Sequence, residues 1–156
     1  NRIPSFFRGI TRFYMYYYDG RRNVLNRSVI DITAKTENNT YKVMLYMNID
    51  TYDGYQNCEN TYWGYLIHYD SLSTMILHNQ DTRTEQITIN MLATFLDTSV
   101  KWGLFCGISS RPLMPIATKI LITKKQQQET KDFINQLKVS REDIRLFKLY
   151  NMFSVM

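Results

Sequence analysis

Residues 27–49 read Arg-Ser-Val-Ile-Asp-Ile-Thr-Ala-Lys-Thr-Glu-Asn-Asn-Thr-Tyr-Lys-Val-Met-Leu-Tyr-Met-Asn-Ile. In an extended chain, alternate side chains fall on opposite faces. Over Arg27 to Lys35, Ser28, Ile30, Ile32 and Ala34 share one face, and Arg27, Asp31 and Lys35 share the other. Asn38-Asn39 then supplies residues that tolerate a tight turn. Over Tyr41 to Ile49, Val43, Leu45, Met47 and Ile49 line one side. Strand, turn and strand of this pattern predict an antiparallel pair with one face on a core.

The same reading extends outward. A first run, Phe6 to Tyr18, ends at the turn Asp19-Gly20. Its odd positions (Phe7, Gly9, Thr11, Phe13, Met15 and Tyr17) are expected to face the core, because Arg8 and Arg12 lie on the other face with Tyr14 and Tyr16. Further runs follow at Thr61–Tyr69, Ser73–His78, Glu85–Phe95, Lys101–Ser109 and Ile116–Thr123. Gly103 and Gly107 inside the seventh run predict a bulge, a bend or a close backbone approach. The polar loop from Asp50 to Glu59 is the longest irregular piece between runs, and is expected to form a lid at a barrel mouth.

Eight runs with short connections predict an all-β fold: an up-and-down antiparallel barrel, calycin-like or lipocalin-like, in which sequential strands pair. An open sandwich is the structural rival. The tail carries helical periodicity instead. One helix is expected over Gln126–Leu137, and a second from Arg141 towards Phe153, capped by Ser140 with Asp143. The whole of residues 1–156 reads as one domain, with strands over about 6–124 and a helical tail over about 126–153.

Composition narrows the function. The chain has 156 residues, a 44% hydrophobic content, twelve tyrosines and a net charge of +5. Such a chain folds, and its charge suits an anionic partner. No run of five basic residues marks a DNA- or RNA-polymer-binding tail. Cys58 and Cys106 sit in no metal-binding or redox motif, so a reduced, cytosolic setting is the simplest reading, with one disulfide left open. No stretch of 18 apolar residues offers a transmembrane helix. The sequence opens on Asn1 rather than Met, so the expectation is a soluble domain with something lost upstream.

Catalytic signals are missing. His68 and His78 lie on separate strands with no ligand-spaced partner, so no metal is expected. Ser109-Ser110 does not form a nucleophile elbow, and no phosphate-binding glycine motif exists. The expectation is a protein that is not an enzyme and holds no cofactor. What remains is a mixture of bases and rings. Arg8, Arg12, Tyr14 and Tyr16 share one strand; Tyr62, Trp63 and Tyr65 cluster on another; Arg111 sits in the last turn and Lys119 on the last strand. Rings can stack on bases, and cationic side chains can hold phosphates. Arg8, Arg12, Tyr14, Tyr16, Tyr62, Tyr65, Arg111 and Lys119 are therefore the candidate ligand-binding residues for a nucleotide at a barrel mouth.

Three patches also resemble a known family. They are Phe6-x-x-Gly9 leading to Tyr14 and Tyr16-Tyr17-Tyr18; Tyr62-x-Gly64-x-Leu66; and Gly103-x-x-x-Gly107-Ile108-Ser109-Ser110-Arg111-Pro112 followed by Pro115-x-Ala117-x-Lys119. With the eight-strand order, they resemble the soluble barrel of two-transmembrane β-barrel effectors in bacterial cyclic-oligonucleotide antiphage (CBASS) defence, over about residues 6–124. The resemblance implies a cyclic dinucleotide ligand, self-association on binding, and disruption of the inner membrane, which two upstream helices would anchor. It implies that this domain works at the cytoplasmic face of that membrane. Two other readings stand beside it: a lipocalin-like carrier of an apolar small molecule, and a protein interaction module without a small ligand. Gly9-x-Thr11 departs from the Gly-x-Trp pattern of the carriers.

Overall fold

The computed structural model describes residues 3–82, 84–93 and 98–155. Eight antiparallel strands close into one barrel, in sequence order. They are β1 (Arg12–Asp19), β2 (Val24–Glu37), β3 (Thr40–Met47), β4 (Asn60–His68), β5 (Leu72–Asn79), β6 (Gln86–Leu92), β7 (Val100–Ser110) and β8 (Leu113–Thr123). β1 pairs with β8 through Tyr14↔Thr123, Met15↔Ile122 and Tyr16↔Leu121, so the cylinder has no free edge. The barrel expectation holds. Thr94 and Phe95, the end of the expected sixth run, lie outside the described residues, as does Asn1.

Alternation decides the interior. Phe13 and Met15 of β1, Ile30 of β2, Val43 and Leu45 of β3, and Leu66 of β4 belong to one buried cluster with Met75, Leu77, Ile89, Phe105 and Ile120. A short 3-10 helix, Ser5–Phe7, adds Phe6 and Phe7 to it. Both rings meet Phe13 edge-on, at centroid distances of 6.3 and 5.5 Å. The N-terminal segment therefore plugs one end of the cylinder. Gly9 follows at φ +71°, a left-handed backbone that glycine adopts without a Cβ clash.

Asn39, predicted in a turn, joins β2 to β3 at φ 61°, and its carbonyl accepts from the His68 N–H at 2.8 Å. Asn48, at φ 56°, ends the alternation after β3. The expected inward face breaks there. Ile49 is buried on the outer wall with Val29 and Tyr55. On β2 the pairing register shifts between Ile32 and Ala34, and Ala34 is exposed rather than inward.

The tail crosses the outside of the barrel. α1 (Lys131–Leu137) starts later than predicted, because Thr130 accepts from the Phe133 N–H at 3.1 Å and fixes the helix start. Phe133 and Leu137 cover Tyr16 and Leu121. α2 (Arg141–Tyr150) follows, with the predicted cap: Ser140 and Asp143 form a reciprocal capping box. No side chain of α2 is buried, and Phe147 is 51% exposed. Cys58 and Cys106 are free thiols. No described helix is long and apolar enough to cross a membrane.

Candidate functional site

The two ends of the barrel differ. The end beneath Phe6 and Phe7 receives the β2–β3, β4–β5 and β6–β7 connections. The opposite end carries the β1–β2, β3–β4, β5–β6 and β7–β8 connections. At that second end, inward positions of several strands keep partial contact with solvent: Tyr17, Met47, Gly107 and Ile116 are half-buried.

Polar groups line the interior at this end, as His68, Ser73 and Lys101 do at the other. Asn26 donates from Nδ2 to Tyr17 Oη at 2.9 Å, and Ser28 donates to Asn26 Oδ1 at 3.2 Å. Tyr62 pairs in register with Asn79 across β4 and β5. Asn79 Oδ1 accepts from the backbone N–H groups of Asp81 and Thr82, both at 2.9 Å, which ties the β5–β6 turn. Tyr17 lies against Phe105 at a ring distance of 5.6 Å. Burial pushes the Tyr17 phenol up to about 12, with Asp19 adding to the rise and Arg21 and Arg22 opposing it. Tyr17 is therefore a neutral hydroxyl at neutral pH. It already accepts from Asn26, so its own proton is available to a guest. Burial likewise raises the Tyr62 phenol, against a hydrogen bond from Asn79.

The rim around these groups is mixed in charge. Arg22 and Arg111 are exposed in the β1–β2 and β7–β8 turns. Neither has an ion-pair partner among the described residues. Arg21 is held by Asp19 at 3.3 Å, and Glu85 lies close enough to Tyr62 to raise its phenol. This end thus shares two neutral hydroxyls and two guanidiniums without an ion-pair partner among the described residues, groups that can hydrogen-bond and neutralise an anion.

The eight residues nominated from sequence are dispersed. Tyr62 is inside, at the open end. Arg111 is in the β7–β8 turn at the same end. Arg8 is at the opposite end, where its Nε–H donates to the Ile3 carbonyl at 3.2 Å. Arg12 is on the outer wall, paired with Asp31 at 2.7 Å and lying over the Tyr55 ring at 5.1 Å. Tyr14 packs edge-on against Tyr52, also outside. Tyr16 is buried beneath α1, 5.1 Å from the Phe133 ring. Tyr65 is on the outer face at 37% exposure. Lys119 faces outward over Trp102 and pairs with Asp143 at 2.8 Å. The structure thus brings Tyr62 and Arg111 to one end and separates the rest.

Alternation could have found the others. Tyr17 shares the odd, inward face of β1 with Phe13 and Met15, whereas Tyr14 and Tyr16 share the outward face of Arg12. Arg21-Arg22, directly after the Asp19-Gly20 turn, placed a basic pair at the end of the strand that carries Tyr17.

The loop after β3 is no lid. It lies on the outer wall of β1 and β2, where Tyr55 donates to Asp31 Oδ2 at 2.6 Å and Tyr52 Oη meets Tyr16 Oη at 2.9 Å. Tyr52, Tyr55 and Ile49 give this loop an apolar side, which packs against Val29. Among the described residues, no cluster of His, Cys, Asp and Glu could hold a metal ion. Comparison with protein-family models, curated proteins and solved structures gives no match.

Proposed function

We propose that this chain is a sensor domain that binds a cyclic dinucleotide at the open end of its barrel. Tyr17 and Tyr62 face inward at the end whose turns carry Arg22 and Arg111, and this shared placement carries the reading. Two phosphates call for two cations, and planar bases call for ring faces beside hydroxyl donors. The basic balance of the chain adds long-range attraction for such a ligand. Assembly follows by mass action when the bound form associates more tightly than the free form. The resemblance seen in sequence links that assembly to an inner-membrane effector of antiphage defence. The described chain enters the barrel at the plugged end, so anchoring through upstream helices would turn the mouth away from the bilayer.

The test is calorimetry of the full chain against a panel of cyclic dinucleotides, with Arg22→Ala and Arg111→Ala beside the parent. Binding by one member, weakened about tenfold by either variant, is the expected result. Absence of heat with every member of the panel sinks the proposal. A second reading, an interaction module without a small ligand, is favoured by one observation: α2 leaves Ile144, Phe147, Leu149 and Tyr150 exposed. Analysis of small molecules extracted from the purified protein tests the third, the carrier of an apolar guest.

A further inference from the structure

α2 stands beside the barrel without burying any of its side chains. A groove of about 390 Å³ remains between the helix and the wall. Ala117 of β8, Val139 of the link from α1, Ile144 and Phe147 of α2, and Phe153 beyond the helix line it, together with Asp143. Asp143 is the only polar side chain in that lining, and Lys119 neutralises it at 2.8 Å. The groove therefore offers apolar contact and no net charge.

Its size restricts the guest. The volume falls within the roughly 300–1,000 Å³ of small-molecule sites. A single turn of α-helix, roughly 10 Å across and about 5.4 Å tall, would already overfill it. An alkyl chain suits such a lining, because it asks for no hydrogen bond and gains by leaving water.

Charge at the lip selects the headgroup. Residues three and four apart are neighbours on a helix surface. Arg141 and Lys148 therefore flank Ile144 on α2. Both are exposed, and neither has an ion-pair partner among the described residues. An anionic headgroup resting there meets two cations, whereas on the barrel side of the groove it would meet Asp143. The same helix argues against a bilayer as the source of the chain. Asp143 and Leu146 are its half-buried positions, so Arg141, Arg145 and Lys148 form the side farthest from the barrel. Interfacial helices present an apolar side to lipid, and here a basic side stands outermost.

We propose that this groove binds a free, single-chain anionic amphiphile, with its alkyl chain against Ala117, Ile144, Phe147 and Phe153 and its headgroup beside Arg141 and Lys148. The site lies on the outer wall and is independent of the open end of the barrel.

Decanoate is the probe, kept below its micelle concentration and titrated into the full chain by calorimetry. Decyltrimethylammonium, with the same chain and the opposite charge, is the control. Decanoate should bind saturably, and about tenfold or more tightly than the cation. Its methylene protons should show NOEs to the Phe147 ring. Ala117→Trp fills the groove and Val139→Asp sets a carboxylate at its edge, so each should weaken decanoate binding about tenfold or more. Arg141→Gln combined with Lys148→Gln should abolish the preference over the cation. Absence of saturable heat with decanoate overturns the proposal. So does equal affinity of the parent for the cation, or undiminished binding by both folded groove variants. Capture of the chain by anionic vesicles without uptake of free decanoate would assign α2 to a bilayer surface and likewise end it.

Discussion

Tyr16 Oη and Tyr52 Oη lie 2.9 Å apart, and the same Tyr16 oxygen accepts from the Gln127 N–H at 3.0 Å. One buried hydroxyl thus joins β1 to the loop after β3 and to the tail after β8. Tyr16→Phe keeps the ring against Phe133 and removes both hydrogen bonds. The loss should be about 1–2 kcal/mol of stability, read by urea unfolding. Cyclic dinucleotide binding at the open end should be unchanged, because Tyr16 faces outward.

The buried imidazole predicts a pH dependence. Burial, reinforced by the charge of Lys101, lowers His68 to about 4. An unfolded histidine titrates near its ordinary value of 6.5. The folded pKa is the lower one, so the unfolded chain binds the proton more readily. Stability is therefore complete above pH 6.5 and falls as the pH drops from 6.5 towards 4. The fall is on the order of 3 kcal/mol. His68→Phe should flatten the curve in that window. A parent curve that is already flat there would contradict a neutral buried ring.

Among the described residues, the ion pair that ties α2 to the barrel is Lys119–Asp143, which is partly buried. Lys119 Nζ donates to Asp143 Oδ2 at 2.8 Å, and that oxygen also accepts from the Ser140 N–H at 2.8 Å. Burial raises the Asp143 carboxyl, but the hydrogen bonds from Lys119 and Ser140 outweigh it and hold the pKa below the ordinary 3.8. The contribution is present above that value and is lost as the pH falls below it. Lys119→Met should cost about 1–2 kcal/mol and hasten tryptic cleavage at Arg141 or Arg145. Cleavage at the parent rate would show that α2 is held by other means.

Gly64 faces inward on β4 where β5 crosses closely. A Cβ there would stand 1.8 Å from the Ile76 carbonyl oxygen. Backbone on the far side cannot yield as a side chain could. Gly64→Ala should destabilise by about 3 kcal/mol or more, by thermal melting. Gly103→Ala should be milder, because its nearest clash is with the flexible Met91 side chain at 2.9 Å.

Much of this molecule could be read before its coordinates. Period-two alternation is a property of the backbone, so Val43, Leu45, Phe13 and Met15 could be assigned to the interior at once. Asn38-Asn39 marked its turn by local chemistry, and Ser140 with Asp143 marked its cap. Strand ends were less legible, since β8 extends back through Pro115 to Leu113 by pairing with β7. The site was legible in kind but hardly in residues. A strand shows which side chains share a face, yet not which face a covering helix will claim. α1 claimed Tyr16, and the β3–β4 loop claimed Tyr14 and Asp31. Nor does sequence show which end of a cylinder a residue occupies. Arg8 and Arg111 therefore looked like neighbours and lie at opposite ends. The groove beside α2 left no trace in sequence, because it depends on how closely the helix meets the wall.

The seams of the barrel are unequal. β7 and β8 pair along their whole length, from Val100↔Thr123 to Ser110↔Leu113. Each then meets its other neighbour briefly: Thr88, Ile89 and Asn90 pair with β7, and Tyr14, Met15 and Tyr16 with β8. This hairpin resembles a stave held by a short joint on either side. Deuterium uptake at its amides should proceed as one cooperative block, ahead of β2–β3, and its release would uncover Phe105 and Ile120 together.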